Sequence, residues 1–303
     1  MSAAAGAVLT ADGRVRIERA RGPFAHASPV TPPEACEACG GQGRVVVTRD
    51  GVDFVRQCAC RTLAHRCELF NAARIPRILA DRTLDPSRAP ASGQGVFAPN
   101  HPSQAEAVQR VRRFLSEFGG AEGDASGRGF LLMGKPGVGK SHLLVAAVRE
   151  LTLERGVPCR YVEFFHLLSE LRDGYSQGRS EQEIIGPLCE VEVLAVDELG
   201  KGRGTDWEMY VLDEVISRRY NAGKSTLFAT NYTTDRDTTL QAKVAGVTGY
   251  VSTRDRRFID QMTQETLEER VGVRIYSRLC DMCEFIFVDG EDYRRRHRER
   301  ASG

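Results

Sequence analysis

From residue 129 onward, short apolar runs alternate with longer amphipathic ones. GFLLM is continuously apolar and predicts a buried strand; KSHLLVAAVRELTLERG follows with helical periodicity and closes at Gly156. CRYVEF reads as a second strand, FHLLSELRDGY and EQEIIGPLCE as helices, and VEVLAVDE as a third strand buried on both faces. Thr205 and Glu208 have capping-box spacing at the head of a helix over TDWEMYVLDEVISRRYNAG. STLFATN is the fourth strand, and a long helix through LEERVGVRIYSRLC leads to a last strand, EFIFV. This alternation predicts an α/β fold with a parallel sheet covered on both faces.

Upstream the pattern is different. Residues 1–35 are rich in Ala, Gly and Pro without an apolar period, which predicts a mobile arm. A cysteine-rich unit covers 36–68. LAHRCELFNAARIPRILADRTLD predicts a short helix broken at Pro76, and PSRAPASGQGVFAPNHPS a connection. The basic amphipathic stretch AEAVQRVRRFLSEF predicts a further helix, so 69–128 reads as linker and helices, 129–290 as the α/β core and 291–303 as a basic tail. No internal repeat stands out, and no run approaches the ~18 apolar residues that span a bilayer, so no membrane contact is expected. The first residues carry no basic segment ahead of an apolar one, which argues against a secretory signal and for a cytoplasmic protein. In that reducing compartment nine cysteines point to metal binding before disulfides. The net charge of +1 excludes nothing, and nine Arg against six acids over 36–90 suit a solvated surface as well as a nucleic-acid or acidic-partner contact.

GKPGVGKS, Gly134 to Ser141, fits G-x-x-x-x-G-K-[ST] and lies between a buried strand and a helix start. Gly134, Gly137 and Gly139, with Pro136 and Val138 between them, let backbone N–H groups turn inward onto the phosphates of ATP. Lys140 reaches the β- and γ-phosphates, and the Ser141 hydroxyl is placed for Mg²⁺. His142 follows the loop and reads as a helix-surface residue without a role of its own. Asp197 and Glu198 end the third strand, the edge where open α/β sheets bind ligands. Asp197 can hold the Mg²⁺ water shell, and Glu198 can orient and deprotonate the attacking water. Asn231, after the fourth strand, is a second water-positioning candidate or an ordinary strand-end residue.

Cys36 and Cys39 form C-x-x-C ahead of Gly40, Gly41 and Gly43; Cys58 and Cys60 follow after what reads as a hairpin. Tetrahedral Cys₄ zinc accounts for this spacing, and a unit this small scarcely folds without it. A redox dithiol and unconnected thiols remain the other readings, and His65 or Cys67 stands near enough to replace one ligand. Cys280 and Cys283 lack a partner pair and read as core.

Arg270, Arg274 and Arg278 recur every four residues and so share a helix face, either as a solvated stripe or as phosphate-directed groups. Taken in order, GKPGVGKS, VLAVDELG, LFATN and RIYSRL resemble the AAA+ ATPases of the helicase-loader and transposition-helper clade, DnaC-like and IstB-like, over residues 75 to 295. The resemblance implies a five-stranded parallel sheet of order 5-1-4-3-2, no C-terminal helical lid, and ATP hydrolysis in a homo-oligomer. It also implies Arg278 as an arginine finger acting in trans, with Arg274 as a second phosphate-facing candidate. The partners it implies are a replicative DNA helicase or a transposase, and single-stranded DNA touched by Tyr175, Thr205 and Trp207. Aromatic rings suit such sequence-independent stacking, and core packing is the other reading of Trp207. The zinc unit would then grip the protein partner. The stretch from Thr233 to Arg256 is longer than the family's and suggests a partner-specific loop.

Overall fold

The computed structural model describes residues 7–9, 13–18, 22–49, 51–86, 95–119, 127–234 and 265–293. Most of the 233–256 loop and the tail beyond Tyr293 therefore lie outside the described residues. Two compact units are present: Met1–Ala98 with Val145–Tyr161, and Pro99–Leu144 with Val162–Gly303. They divide the chain differently from the expected boundaries, because 145–161 group with the N-terminal unit and 99–128 with the α/β core.

In the first unit, β1 (Ala7–Leu9), β2 (Val15–Glu18) and β3 (His26–Pro29) form an antiparallel sheet. The expected arm over 1–35 is corrected here. Val15 and Ile17 alternate inward with Ala25 and Ala27, an apolar period only two steps long on each side of a turn. The hairpin of β4 (Arg44–Arg49) and β5 (Val52–Gln57) leads into α1 (Ala59–Ala72), which starts four residues before the predicted helix and ends ahead of Pro76. The Asn71 side chain fastens α1 to β3, accepting from the Ala27 N–H at 2.6 Å and donating to its carbonyl at 3.0 Å.

The second unit opens with α2 (Pro102–Glu117) and β6 (Gly129–Met133). In chain order β6 is followed by α3 (Lys140–Arg149), a π-helical turn over Glu150–Glu154 and β7 (Cys159–Glu163), of which residues 145–161 group with the first unit, and then by α4 (Phe164–Ser176), α5 (Glu181–Glu190) and β8 (Val193–Asp197). Then follow α6 (Asp206–Asn221), β9 (Ser225–Thr230), α7 (Leu267–Val271), α8 (Val273–Met282) and β10 (Cys283–Phe287). The sheet order is β10-β6-β9-β8-β7, which is 5-1-4-3-2 as expected, with parallel pairing. β6, β8 and β9 are buried along their whole length; β6 and, up to Asp197, β8 are continuous apolar runs, whereas β9 also buries Ser225, Thr226 and Thr230. Leu131, Phe164, Leu168, Val196, Ile216, Phe228 and Leu279 form the core beneath the helices.

The predicted long helix before the last strand is two helices. Gly272 adopts φ 82°, a left-handed turn that stops α7 and restarts the chain as α8. Cys283 is buried, but Cys280 is exposed, so only one of that pair is core. Among the described residues no helix is long and apolar enough to cross a membrane.

Candidate ATP site and zinc clasp

A parallel sheet sends the carboxyl ends of its strands to one edge, and there β6, β8 and β9 deliver the loop 134–139, the pair Asp197–Glu198 and Asn231. Lys140 is buried, and its Nζ donates to the carbonyls of Gly134 and Lys135 at 2.7 Å each. The Leu143 N–H reaches the Gly139 carbonyl at 3.0 Å, so helical bonding begins inside the motif and turns the helix N-terminus onto the loop. Pro136, Ser141 and His142 are partly exposed along it, and Val138 is buried with its carbonyl accepting from Gln104 Nε2 at 3.2 Å.

The glycines do more than the motif suggests. Gly137 has φ 84°, and a Cβ there would fall 2.1 Å from Asp292 Oδ1. The Tyr293 N–H also donates to the Gly137 carbonyl at 3.1 Å, so the segment after β10 packs directly on the phosphate loop. Sequence reading missed this wall, because nothing in the spacing links residue 137 to residue 292.

Asp197 is buried and accepts from the Glu198 N–H at 2.9 Å. Glu198 has φ 56°, an uncommon conformation for a side-chain-bearing residue and one that collects at functional sites. Its carboxylate pairs with Lys201 Nζ. Glu163, at the same edge on β7, was also missed. Burial pushes its carboxyl up; His166 opposes this, and the charges of Glu198 and Asp197 add to the rise.

Arg270, Arg274 and Arg278 do not share a face, which corrects the expectation of one stripe; the turn at Gly272 separates the first from the others. Arg270 donates to the carbonyls of Gly200 and Gly202 at 2.6 Å each, bracing the loop after the acid pair. Arg274 and Arg278, on α8, both meet Asp213 of α6, at 3.5 and 2.9 Å. Thr205 is the N-cap of α6, its hydroxyl accepting from the Glu208 N–H at 3.3 Å. Tyr175 and Trp207, distant in sequence, meet edge to face at 6.3 Å, with the Arg172 guanidinium 4.9 Å over the indole. Trp207 is half-buried against the core, whereas Tyr175 is exposed and donates to Glu181 Oε2 at 2.7 Å.

The sulfurs of Cys36, Cys39, Cys58 and Cys60 lie within 4.8 Å of one another. Cys36 Sγ stands 3.8 Å from Cys58 Sγ, and Cys39 Sγ 3.7 Å from Cys60 Sγ. A tetrahedron with Zn–S bonds of about 2.3 Å has edges of about 3.8 Å, whereas a disulfide needs about 2.05 Å, so the four thiols fit zinc. Cys58 is the N-cap of α1 and Cys60 lies in its first turn, which explains the C-x-C half-site: one helix start presents both sulfurs. The Gly43 N–H, 3.3 Å from Cys39 Sγ, is the main cause that brings that thiol down to about 7. Desolvation, then the neighbouring thiols, push Cys60 up to about 12, the mark of crowded sulfurs whose charge a dication would neutralise. His65 and Cys67 are not part of the cluster: His65 pairs with Glu68 at 3.6 Å, and Cys67 is buried on α1.

The strand order, the phosphate loop and the acid pair together make a P-loop nucleotide-binding fold. Residues 125–245 match the family of the IstB-like ATP binding protein. The chain is 30% identical over 129 residues to the replicative helicase loader DnaC of Escherichia coli K12, covering 42% of this chain and 50% of that protein. It is 23% identical to the phage-like element PBSX protein XkdC of Bacillus subtilis 168, covering 87% and 85% of the two chains. The crystal structure of the DnaC helicase loader aligns with a TM-score of 0.48 at 25% identity, covering 64% of this chain and 94% of that one. The chain spans about half the length of the helicase-loader relatives it matches.

Proposed function

We propose that this protein is a cytoplasmic ATPase that assembles with copies of itself on single-stranded DNA and loads or remodels a replicative helicase. The observation that carries the reading is the convergence of Lys140, Asp197 and Glu198 at one sheet edge. Lys140 Nζ, held by two loop carbonyls, exchanges them for the β- and γ-phosphates. Glu198 leaves Lys201 to orient water and take its proton, and Asn231 holds that water from the next strand. Ser141 and Asp197 would hold Mg²⁺, which neutralises charge developing on the phosphates. Arg278, with Arg274, acts across the interface on the neighbour's nucleotide. Tyr175, Thr205 and Trp207 form the DNA face, supported by the paired rings and Arg172. The zinc unit grips the helicase; exposed Val46, Phe54 and Val55 on its hairpin support this.

The match to the IstB-like family favours one second reading, a transposition helper that recruits a transposase. Turnover with and without single-stranded DNA tests the enzyme, and retention of a helicase or a transposase on the immobilised protein separates the two partners. Glu198→Gln is expected to lower kcat on the order of 10²-fold or more. Wild-type turnover no greater than that of the variant would leave ATP as a switch on a zinc-dependent adaptor.

A further inference from the structure

Two arginines converge on one carboxylate in the second unit. Asp213 Oδ1 accepts from Arg278 Nη1 at 2.9 Å, and Asp213 Oδ2 lies 3.5 Å from Arg274 Nη2. The carboxylate is itself fixed, since Ser217 Oγ donates to Oδ1 at 3.1 Å. Neighbouring charges are engaged elsewhere: Glu214 with Arg218 on α6, and Asp281 with Tyr220. Arg278 keeps 21% of its side-chain surface and Arg274 keeps 72%, so Arg274 is open to solvent and Arg278 reaches the surface beside it only in part.

The outer contact, with Arg274 exposed, contributes about 0–1 kcal/mol, too little to explain why a second guanidinium is gathered on an acid that Arg278 already pairs. Their geometry explains more. Each guanidinium is a planar fork suited to bidentate phosphate binding, and holding two forks side by side removes the freedom they would lose on meeting a ligand. We propose that Asp213 is the positioning residue of the arginine pair, aiming Arg278 and Arg274 together at a phosphoryl group bound by the adjacent copy of the chain. This rests on the trans reading above.

Mixed assemblies test it. A subunit carrying Arg278→Ala keeps its own phosphate site and offers no finger, whereas one carrying Glu198→Gln offers a finger and itself hydrolyses at a strongly lowered rate. Mixed, the two are expected to regain ATP turnover that neither shows alone. Asp213→Asn placed in the Glu198→Gln subunit, the finger donor, is expected to reduce that regained kcat on the order of 10- to 100-fold with KM for ATP unchanged. The same substitution in the Arg278→Ala subunit is expected to change it less than about twofold, which a merely structural role for Asp213 would not allow. Equal losses from both placements, or none from either, would overturn the positioning role. If the parent mixture regains nothing, the trans reading fails and the proposal with it. Asp213→Glu in the donor is expected to restore part of the loss.

Discussion

Glu208 caps its own helix from a buried position. Its Oε2 accepts from the N–H groups of Arg203 and Gly204 at 2.8 Å each and of Thr205 at 3.4 Å, while Oε1 accepts from Arg172 at 3.2 Å. Burial pushes the carboxyl up, yet the Gly204, Thr205 and Arg203 amides and the Arg172 guanidinium together hold it below the usual range. A carboxyl lowered in the fold adds stability above the unfolded value, near pH 4, and loses it as pH falls through the folded one. Glu208→Gln should therefore cost about 2 kcal/mol at pH 7, with the difference from wild type shrinking below about pH 4. Denaturant titrations followed by the fluorescence of Trp207, the chain's only tryptophan, would show it. The capping box itself was legible, because Thr205 and Glu208 stand three apart. The grip on Arg203 and Arg172 was not, since it depends on where the loop and α4 fold back.

Elements were legible where one period ran uninterrupted. β6 and β8 appeared as apolar runs, and the acid pair fell at a strand end as predicted. Failures came where a single residue reverses the chain. Spacing of four across EERVGVRIYSRLC implied one helix, but Gly272 ends the first and turns Arg270 toward the Gly200–Gly202 loop. A buried cation was equally invisible. Arg219 on α6 is fully buried, and its guanidinium donates to the carbonyls of Leu188, Cys189, Val191, Glu192 and Ser225 and to Thr226 Oγ1. It closes the carbonyl end of α5, where positive charge suits the helix dipole, and ties that end to β9. Arg219→Met keeps much of the volume but orphans these carbonyls, and should lower unfolding free energy by about 3 kcal/mol in the same denaturant assay. A change below about 0.5 kcal/mol would mean that the carbonyls find water instead.

At the scale of the whole chain, the strand order did not follow from periodicity. It came from resemblance, because apolar runs say that strands are buried and not which neighbours they take. The N-terminal sheet was unreadable for the opposite reason: strands of three or four residues give too few steps to establish a period. The cysteine hairpin is the instructive contrast. Its spacing disclosed the four-sulfur cluster, while its strands bury almost nothing: β5 is exposed throughout, and Val46, Val47, Phe54 and Val55 face solvent. A two-stranded hairpin alone is marginal in water, so its order must come from the sulfurs at its base, where the Cys58 N–H donates to the Gly43 carbonyl at 2.9 Å. Purified protein should carry about one zinc per chain. Stripping it with a chelator, or replacing Cys36 by Ser, should bring amide exchange over 44–57 close to that of an open chain. Adding zinc back should restore protection to the wild type and not to the variant, because three thiolates leave the tetrahedron incomplete. Slow exchange persisting in the metal-free protein would show that the hairpin is held by packing, and that the cysteines bind zinc without ordering the fold.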